Sequence, residues 1–297
     1  MAEDIVLALG GGGVRGIAHL GAVECLLNHD YNLVGIAGTS AGGLFGAPIA
    51  AGVAPREILD VVTDFMKSPD FKRESSDTAS IAGTAGVETA LAPFLEGKTF
   101  EDLSIKLCVT AVSLKSGEKV VLNKGDIMEA VLATIAIPGV FPPQGEDVLV
   151  DGGVLDPVPI EAARALEPSL PIVAVTLHKK SADYSPEELN FSTGDQFSEA
   201  IIERLINTRL GEALKYFNTG ISMSSDRLAE LNIEVGQPDV VVRPLVGQYF
   251  ALQMVDPLKL FDEGYRAMES QLPALADSLT LINKIKRIAK YSAFKSD

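Results

Sequence analysis

Basic charge, cysteine and histidine are scarce in this 297-residue chain, and each scarcity removes a class of function. Lysine and arginine number 25 against 40 acidic residues, for a formal net charge of −15. A nucleic-acid partner needs a basic face to meet phosphates, so that class is excluded. The two cysteines, Cys25 and Cys108, fall in a predicted helix and a predicted strand. They read as small buried hydrophobes in a reducing compartment, not as a disulfide framework. The opening Met1-Ala2-Glu3-Asp4 is acidic and leads straight into a strand, without the basic n-region of a signal peptide. A cytoplasmic protein is expected. Only three histidines, His19, His29 and His178, are available to a conventional Ser–His–Asp triad.

Charge is also missing locally: no charged residue stands between Asp30 and Arg56. That run is long enough to span a membrane. It holds several glycines and Pro48, however, so it reads as a buried strand, Leu33–Ala37, followed by a buried helix from Gly43 to Ala51. With 47% hydrophobic residues the chain can build a sizeable core.

Between that strand and that helix stands Gly38-Thr39-Ser40-Ala41-Gly42. A serine on a sharp, glycine-flanked strand-to-helix turn is how several hydrolase folds present a nucleophile. Glycine relieves the strained backbone of such a turn, and small neighbours let a carbonyl approach. The first strand, Ile5–Leu9, runs into Gly10-Gly11-Gly12-Gly13-Val14-Arg15-Gly16 and then a helix carrying Ile17, Leu20, Val23, Leu26 and Leu27. Such a turn aims several amides at one spot. It serves either a phosphate, as in dinucleotide-binding folds, or the oxyanion of acyl transfer. A dinucleotide site wants an acidic residue at the end of the second strand. Here that strand delivers Ser40 instead, and in a parallel sheet the glycine turn lies beside it.

Further along, helices are expected over Pro55–Met66, Val87–Leu95 and Asp126–Ile135, with Asp126 as N-cap. A hairpin joins Ile105–Leu114 to Lys119–Leu122. Ser68–Gly86 reads as a polar surface excursion. Ala136-Ile137-Pro138-Gly139-Val140-Phe141-Pro142-Pro143 is a stiff apolar loop suited to walling an acyl chain. Val148–Val150 is a short strand ending at Asp151-Gly152-Gly153, which taken alone is an ordinary Asp-Gly turn. Ile172–Leu177 is a strand ending at His178. Ala182–Gly194 reads as a mobile loop, Phe197–Phe217 and Asp226–Leu231 as helices, Asp239–Arg243 as a strand and Phe261–Leu272 as a closing helix.

Four motifs then stand in order: Gly11-x-Gly13-x-x-Gly16, Gly38-x-Ser40-x-Gly42, the Ile-Pro-Gly-Val-Phe-Pro-Pro run, and Asp151-Gly152-Gly153 with Pro157-Val158-Pro159. Together they resemble the patatin-like phospholipases, most closely the short single-domain bacterial type. The resemblance covers most of residues 4–180 and, more weakly, about 200–270. It implies a three-layer α/β/α sandwich with a mostly parallel central sheet, here over residues 1–275. The implied activity is that of a lipid acyl hydrolase acting on phospholipid or small esters through a Ser40–Asp151 dyad. Backbone amides of Gly11, Gly12, Gly13 and Val14 would form the oxyanion hole, with Arg15, Gly16, Gly38, Gly42, Gly152 and Gly153 supporting the turns. No metal or cofactor is required. Two departures, Thr134 where the family often has serine and Asp156 where asparagine is common, are expected not to touch the dyad.

Histidine enters as an alternative. Ser40, Asp151 and His178 follow the chain order of an α/β-hydrolase triad, against a reading of His178 as an exposed strand-end residue beside Lys179 and Lys180. His19 reads as structural and His29 as solvent-facing. Arg15 either steadies the glycine turn or meets an anionic head group. The rival functions are a dinucleotide-binding protein and a non-catalytic lipid binder on the same scaffold. Residues 276–297 form a basic helix or tail. From Lys284 onward it holds five cations and Asp297, a net of +4. With Leu281, Ile282, Ile285 and Ile288 at helical spacing, it could lie peripherally on an anionic membrane.

Overall fold

The computed structural model describes residues 2–67, 70, 80, 82–179, 209–250, 253–285 and 287. The expected polar excursion over 68–86 and the loop over 182–194 lie mostly or wholly outside them. So do residues 197–208 of the expected helix and half of the basic tail, 286 and 288–297.

Strand β1 (Glu3–Leu9) is flanked by two parallel partners, β2 (Tyr31–Thr39) and β6 (Ile172–Val175). The sheet runs β4 (Lys119–Leu122), β3 (Lys106–Ser113), β2, β1, β6, β7 (Val240–Val242), with β5 (Leu149–Asp151) paired to β3. Only β4 and β5 are antiparallel to their neighbour. Chain order reverses at β1, and in parallel sheets a crevice opens beyond the carboxyl ends of strands at such a point.

Both faces of β1 are buried, Ile5, Leu7 and Leu9 in one apolar cluster and Val6 and Ala8 in the other, so helices cover the sheet on both sides. On the first face lie α1 (Ile17–Asn28), α2 (Ala41–Ala50) and α5 (Ile127–Thr134), with α3 (Pro55–Lys67), α4 (Ala85–Leu95) and α8 (Pro257–Glu269) packed beyond them. On the second lie α6 (Ile160–Leu166) and part of α7 (Arg209–Gly236). The uncharged run is therefore β2 and α2. No helix among the described residues is long and apolar enough to cross a membrane.

Several expected elements change. Asp226–Leu231 is not a short helix but part of the 28-residue α7. The closing helix starts at Pro257, capped by the Asp256 carboxylate on the Leu258 amide, and ends at Glu269. A separate α9 (Leu272–Ser278) then crosses the expected boundary at 275. Leu27 is 45% exposed and does not belong to the apolar face of α1. Asp126 caps α5 as expected, accepting from the Glu129 amide.

Candidate active site

Register brings the serine and aspartate turns together. β2 pairs with β3 as far as Thr39↔Thr110, and the next β3 residue, Ala111, pairs with Asp151. β4 occupies the opposite edge of β3 over the same stretch. Strand β5 therefore takes over the edge that β2 vacates, and Asp151 arrives directly ahead of Ser40. The Ser40 hydroxyl lies within reach of the Asp151 carboxylate and favours its ionised form.

Ser40 sits at φ 52°, ψ −120°, in the left-handed region that a serine enters only under constraint. Packing supplies that constraint. A Cβ on Gly38 would meet the Gly42 carbonyl carbon at 2.5 Å, and one on Gly42 would run into the Leu9 carbonyl oxygen. The Ser40 amide donates to Thr134 Oγ1 at 2.9 Å, and that hydroxyl donates to the Thr110 carbonyl at 2.6 Å. The expectation that Thr134 stands clear of the dyad is thus corrected: it fixes the backbone of Ser40. Asp156 acts at one remove, its carbonyl accepting from the Thr39 hydroxyl at 2.8 Å while its carboxylate pairs with Lys119 at 3.0 Å.

Asp151 is buried, and desolvation raises its pKa from 3.8 to about 6, against the lowering effect of hydrogen bonds from Ser40 and the Gly153 amide. The Gly153 amide lies 2.7 Å from Oδ1. A carboxylate so placed ionises near neutrality yet is a stronger base than a solvated one.

The glycine turn lies against Ser40: a Cβ on Gly11 would stand 3.3 Å from Ser40 Cβ. Its amides are not all available. Gly11 N–H donates to the Pro157 carbonyl at 2.9 Å, which removes Gly11 from the expected donor set. Among the described residues the amides of Gly12, Gly13 and Val14 meet no acceptor. Gly13 has φ 58°, and Gly12 closes on Leu177, which a Cβ would approach to 2.8 Å. Arg15 is buried and donates from Nε to the Gly12 carbonyl at 3.1 Å, so it steadies the turn.

The histidines divide. His19 is fully buried, with Nε2 2.8 Å from the Gly10 carbonyl; burial lowers its pKa to about 4 and keeps it neutral. His29 is exposed. His178 fits neither expectation for it. It is buried, and its Nδ1 lies 2.8 Å from Asp226 Oδ1, not from the Ser40–Asp151 pair. Cys25 and Cys108 are buried thiols with pKa values raised by desolvation to about 11 and about 12.

In front of Ser40 opens a cavity of about 180 Å³. Its lining is almost wholly apolar: Val14 and Leu44 beside Ser40, Val62, Phe65 and Met66 of α3, Leu91 and Phe94 of α4, and Ile137 and Phe141 of the stiff loop. That loop therefore walls the cavity, as expected.

These features define an α/β fold whose sheet edge carries a buried serine–aspartate pair, a glycine turn with amides that meet no acceptor among the described residues, and an apolar cleft. The chain belongs to the patatin-like phospholipase family, whose model matches residues 7–164. An uncharacterized NTE family protein of Mycobacterium tuberculosis is 36% identical over 186 residues, covering 60% of this chain and 50% of that protein. A human 1-acylglycerol-3-phosphate O-acyltransferase is 27% identical over 170 residues, covering 53% of this chain and 35% of that protein. This chain thus spans half or less of the length of either relative. The crystal structure of VipD from Legionella pneumophila shares the fold, with a TM-score of 0.53 and 15% identity over 92% of this chain and 67% of that one.

Proposed function

We propose that this protein is a serine acyl hydrolase acting on lipid or small esters. The observation that carries the reading is the placement of the Ser40 hydroxyl against the buried Asp151 carboxylate at the mouth of an apolar cavity. Ser40 Oγ attacks the ester carbonyl as Asp151 takes its proton. The amides of Gly12, Gly13 and Val14 receive the developing oxyanion, each donor worth about 100- to 1000-fold in rate. The tetrahedral intermediate collapses, and the protonated Asp151 returns the proton to the departing alcohol. Water then enters, Asp151 removes its proton, and hydroxide releases the acid. Ser40 regains its hydroxyl proton from Asp151.

Two expected results test this reading. With p-nitrophenyl esters from acetate to octanoate, kcat/KM rises about 3- to 4-fold per methylene until the cavity is filled, reflecting about 0.8 kcal/mol per buried CH2. The profile of kcat/KM against pH has a limb near 6, with activity lost as pH falls through it and Asp151 is protonated. A flat chain-length series, or a limb near 4, contradicts the assignment of cavity or base. A non-catalytic lipid binder would bind the esters and turn over none.

For the tail we propose peripheral contact with anionic lipid through Leu281, Ile282 and Ile285, which are 73%, 67% and 58% exposed. Arg287 is not part of that face: it is buried, pairing with Asp239 at 2.8 Å and donating to the Ser278 carbonyl. The test therefore replaces the three apolar residues with aspartate and keeps Arg287. Sedimentation with anionic liposomes falls while soluble-ester hydrolysis is unchanged. Unchanged sedimentation removes this contact.

A further inference from the structure

Helix α7 touches the turn after Asp151 and, through His178, backs the glycine turn, a role its sequence does not announce. One face of it, running through Ser225, Asp226, Ala229, Asn232, Ile233 and Gly236, packs over α6 and the turn after Asp151. Ser225 Oγ donates to the Gly153 carbonyl at 3.2 Å, two residues past the proposed base. Asn232 Nδ2 donates to the Asp156 carboxylate and, at 3.2 Å, to the Val158 carbonyl. On the other side Asp226, only 4% exposed, holds His178 through Nδ1.

His178 follows Leu177, the residue against which Gly12 closes, and its ring lies within electrostatic reach of Arg15. Arg15 in turn holds the Gly12 carbonyl. The two turns are themselves tied by the bond from Gly11 N–H to the Pro157 carbonyl. Burial disfavours a charged imidazole, so His178 is neutral and presents Nδ1–H to the Asp226 carboxylate. That bond fixes the ring and the backbone beneath the glycine turn. A buried aspartate is retained at a cost in desolvation, and here its carboxylate holds the His178 ring.

We propose that α7 is the positioning element of this site. Asp226 and His178 hold the glycine turn, and Ser225 and Asn232 hold the turn of Asp151, so that the oxyanion donors and the base keep their spacing across Ser40. This rests on the acyl-hydrolase reading for its catalytic consequence but not for its structural one. His178 is a positioning residue here and touches no reacting atom.

The test compares Asp226→Ala, Asp226→Asn and Ser225→Ala with Met223→Ala, a 49% exposed change on the same helix. In Asp226→Ala, kcat on p-nitrophenyl butyrate falls about 10- to 100-fold with KM within about 2-fold, the size expected for a supporting residue behind a reacting group. Asp226→Asn keeps an acceptor for Nδ1–H and recovers most of that loss. The pH limb near 6 stays, because Asp151 is untouched. Hydrogen exchange reads the same claim without any turnover. The hydrogen-bonded amides of Gly10 and Gly11 exchange at least about 10-fold faster in Asp226→Ala, and those of Leu155 and Asp156 do so in Ser225→Ala, while β2 is unchanged in both.

Unchanged exchange in folded Asp226→Ala and Ser225→Ala overturns the proposal, as does exchange that rises uniformly through the sheet. A limb that moves with Asp226 would make His178 part of the base and also overturn it. Should Asp226→Ala fail to fold, His178→Ala carries the test at the glycine turn and Ser225→Ala at the turn of Asp151. A wild type that hydrolyses no ester, yet shows the local exchange changes, defeats the hydrolase reading and leaves the positioning role standing.

Discussion

Replacing Asp151 with asparagine is expected to abolish ester hydrolysis and, at pH 8, to make the protein more stable. Activity falls on the order of 10⁴-fold, because the Ser40 hydroxyl loses the group placed to take its proton. Stability moves the other way. The folded-state pKa of Asp151, about 6, lies above its ordinary value of 3.8. Its contribution to stability is therefore fully present below the ordinary value and is lost as pH rises through 6. At pH 8 the buried, ionised carboxylate costs up to about 3 kcal/mol relative to a neutral group. Asparagine keeps an acceptor for the Gly153 amide and escapes that cost. Thermal melts should show a higher Tm for Asp151→Asn at pH 8, by about 2–4 °C per kcal/mol, and no difference near pH 4. A variant that is inactive but less stable at pH 8 would mean that Asp151 is held in place for packing and not against its own desolvation. Such opposition between stability and activity is what a strained, desolvated functional group produces.

Gly42→Ala is expected to be among the most damaging single-methyl changes at the described residues. The added Cβ would be driven into the Leu9 carbonyl oxygen, and neither the strand nor the helix can retreat, since Gly38 already closes on Gly42 from the other side. Overpacking against side chains costs about 1–3 kcal/mol, and backbone cannot repack as a side chain does, so loss of soluble folded protein is the expected result. Gly220→Ala in α7 meets nothing within 4 Å among the described residues and should gain about 0.5–1 kcal/mol through helix propensity. Equilibrium denaturation of the pair checks this. A Gly42→Ala protein that folds with wild-type stability would show that α2 does not need its close seat on β1.

What the sequence made legible follows from the range of the interactions. The serine and glycine turns are local: a strand, a glycine cluster and a helix start announce themselves within ten residues, and Ser40, Gly38 and Gly42 could be placed from that alone. Asp151 could be named through the resemblance and the short strand before it, but its meeting with Ser40 depends on β5 replacing β2 along β3, a register no local pattern carries. Thr134 is visible in the sequence as a hydroxyl at the end of α5. Its bond to the Ser40 amide spans 94 residues and was missed for that reason. His178 was misread because two lysines follow it, while the partner that buries it, Asp226, lies 48 residues on. Helix α7 was cut short because Asn218-Thr219-Gly220 and Ser222, Ser224 and Ser225 are poor helix formers, and only its packing over α6 shows why it continues. Gly11 was grouped with its neighbours as a donor because nothing local reveals that the Pro157 carbonyl takes its amide.

The central claim is that Ser40 is a nucleophile activated by Asp151, and covalent labelling reads it directly. Wild type, Ser40→Ala, Asp151→Asn and His178→Ala are each treated with a fluorophosphonate, with the intact mass followed over time and the modified peptide sequenced. The account predicts one adduct on wild type, located at Ser40. It predicts none on Ser40→Ala, labelling of Asp151→Asn slowed at least about 1000-fold, and a His178→Ala protein that still labels at Ser40. An adduct on another residue, labelling that survives Asp151→Asn at the wild-type rate, or labelling that requires the His178 imidazole as completely as the Asp151 carboxylate would contradict it.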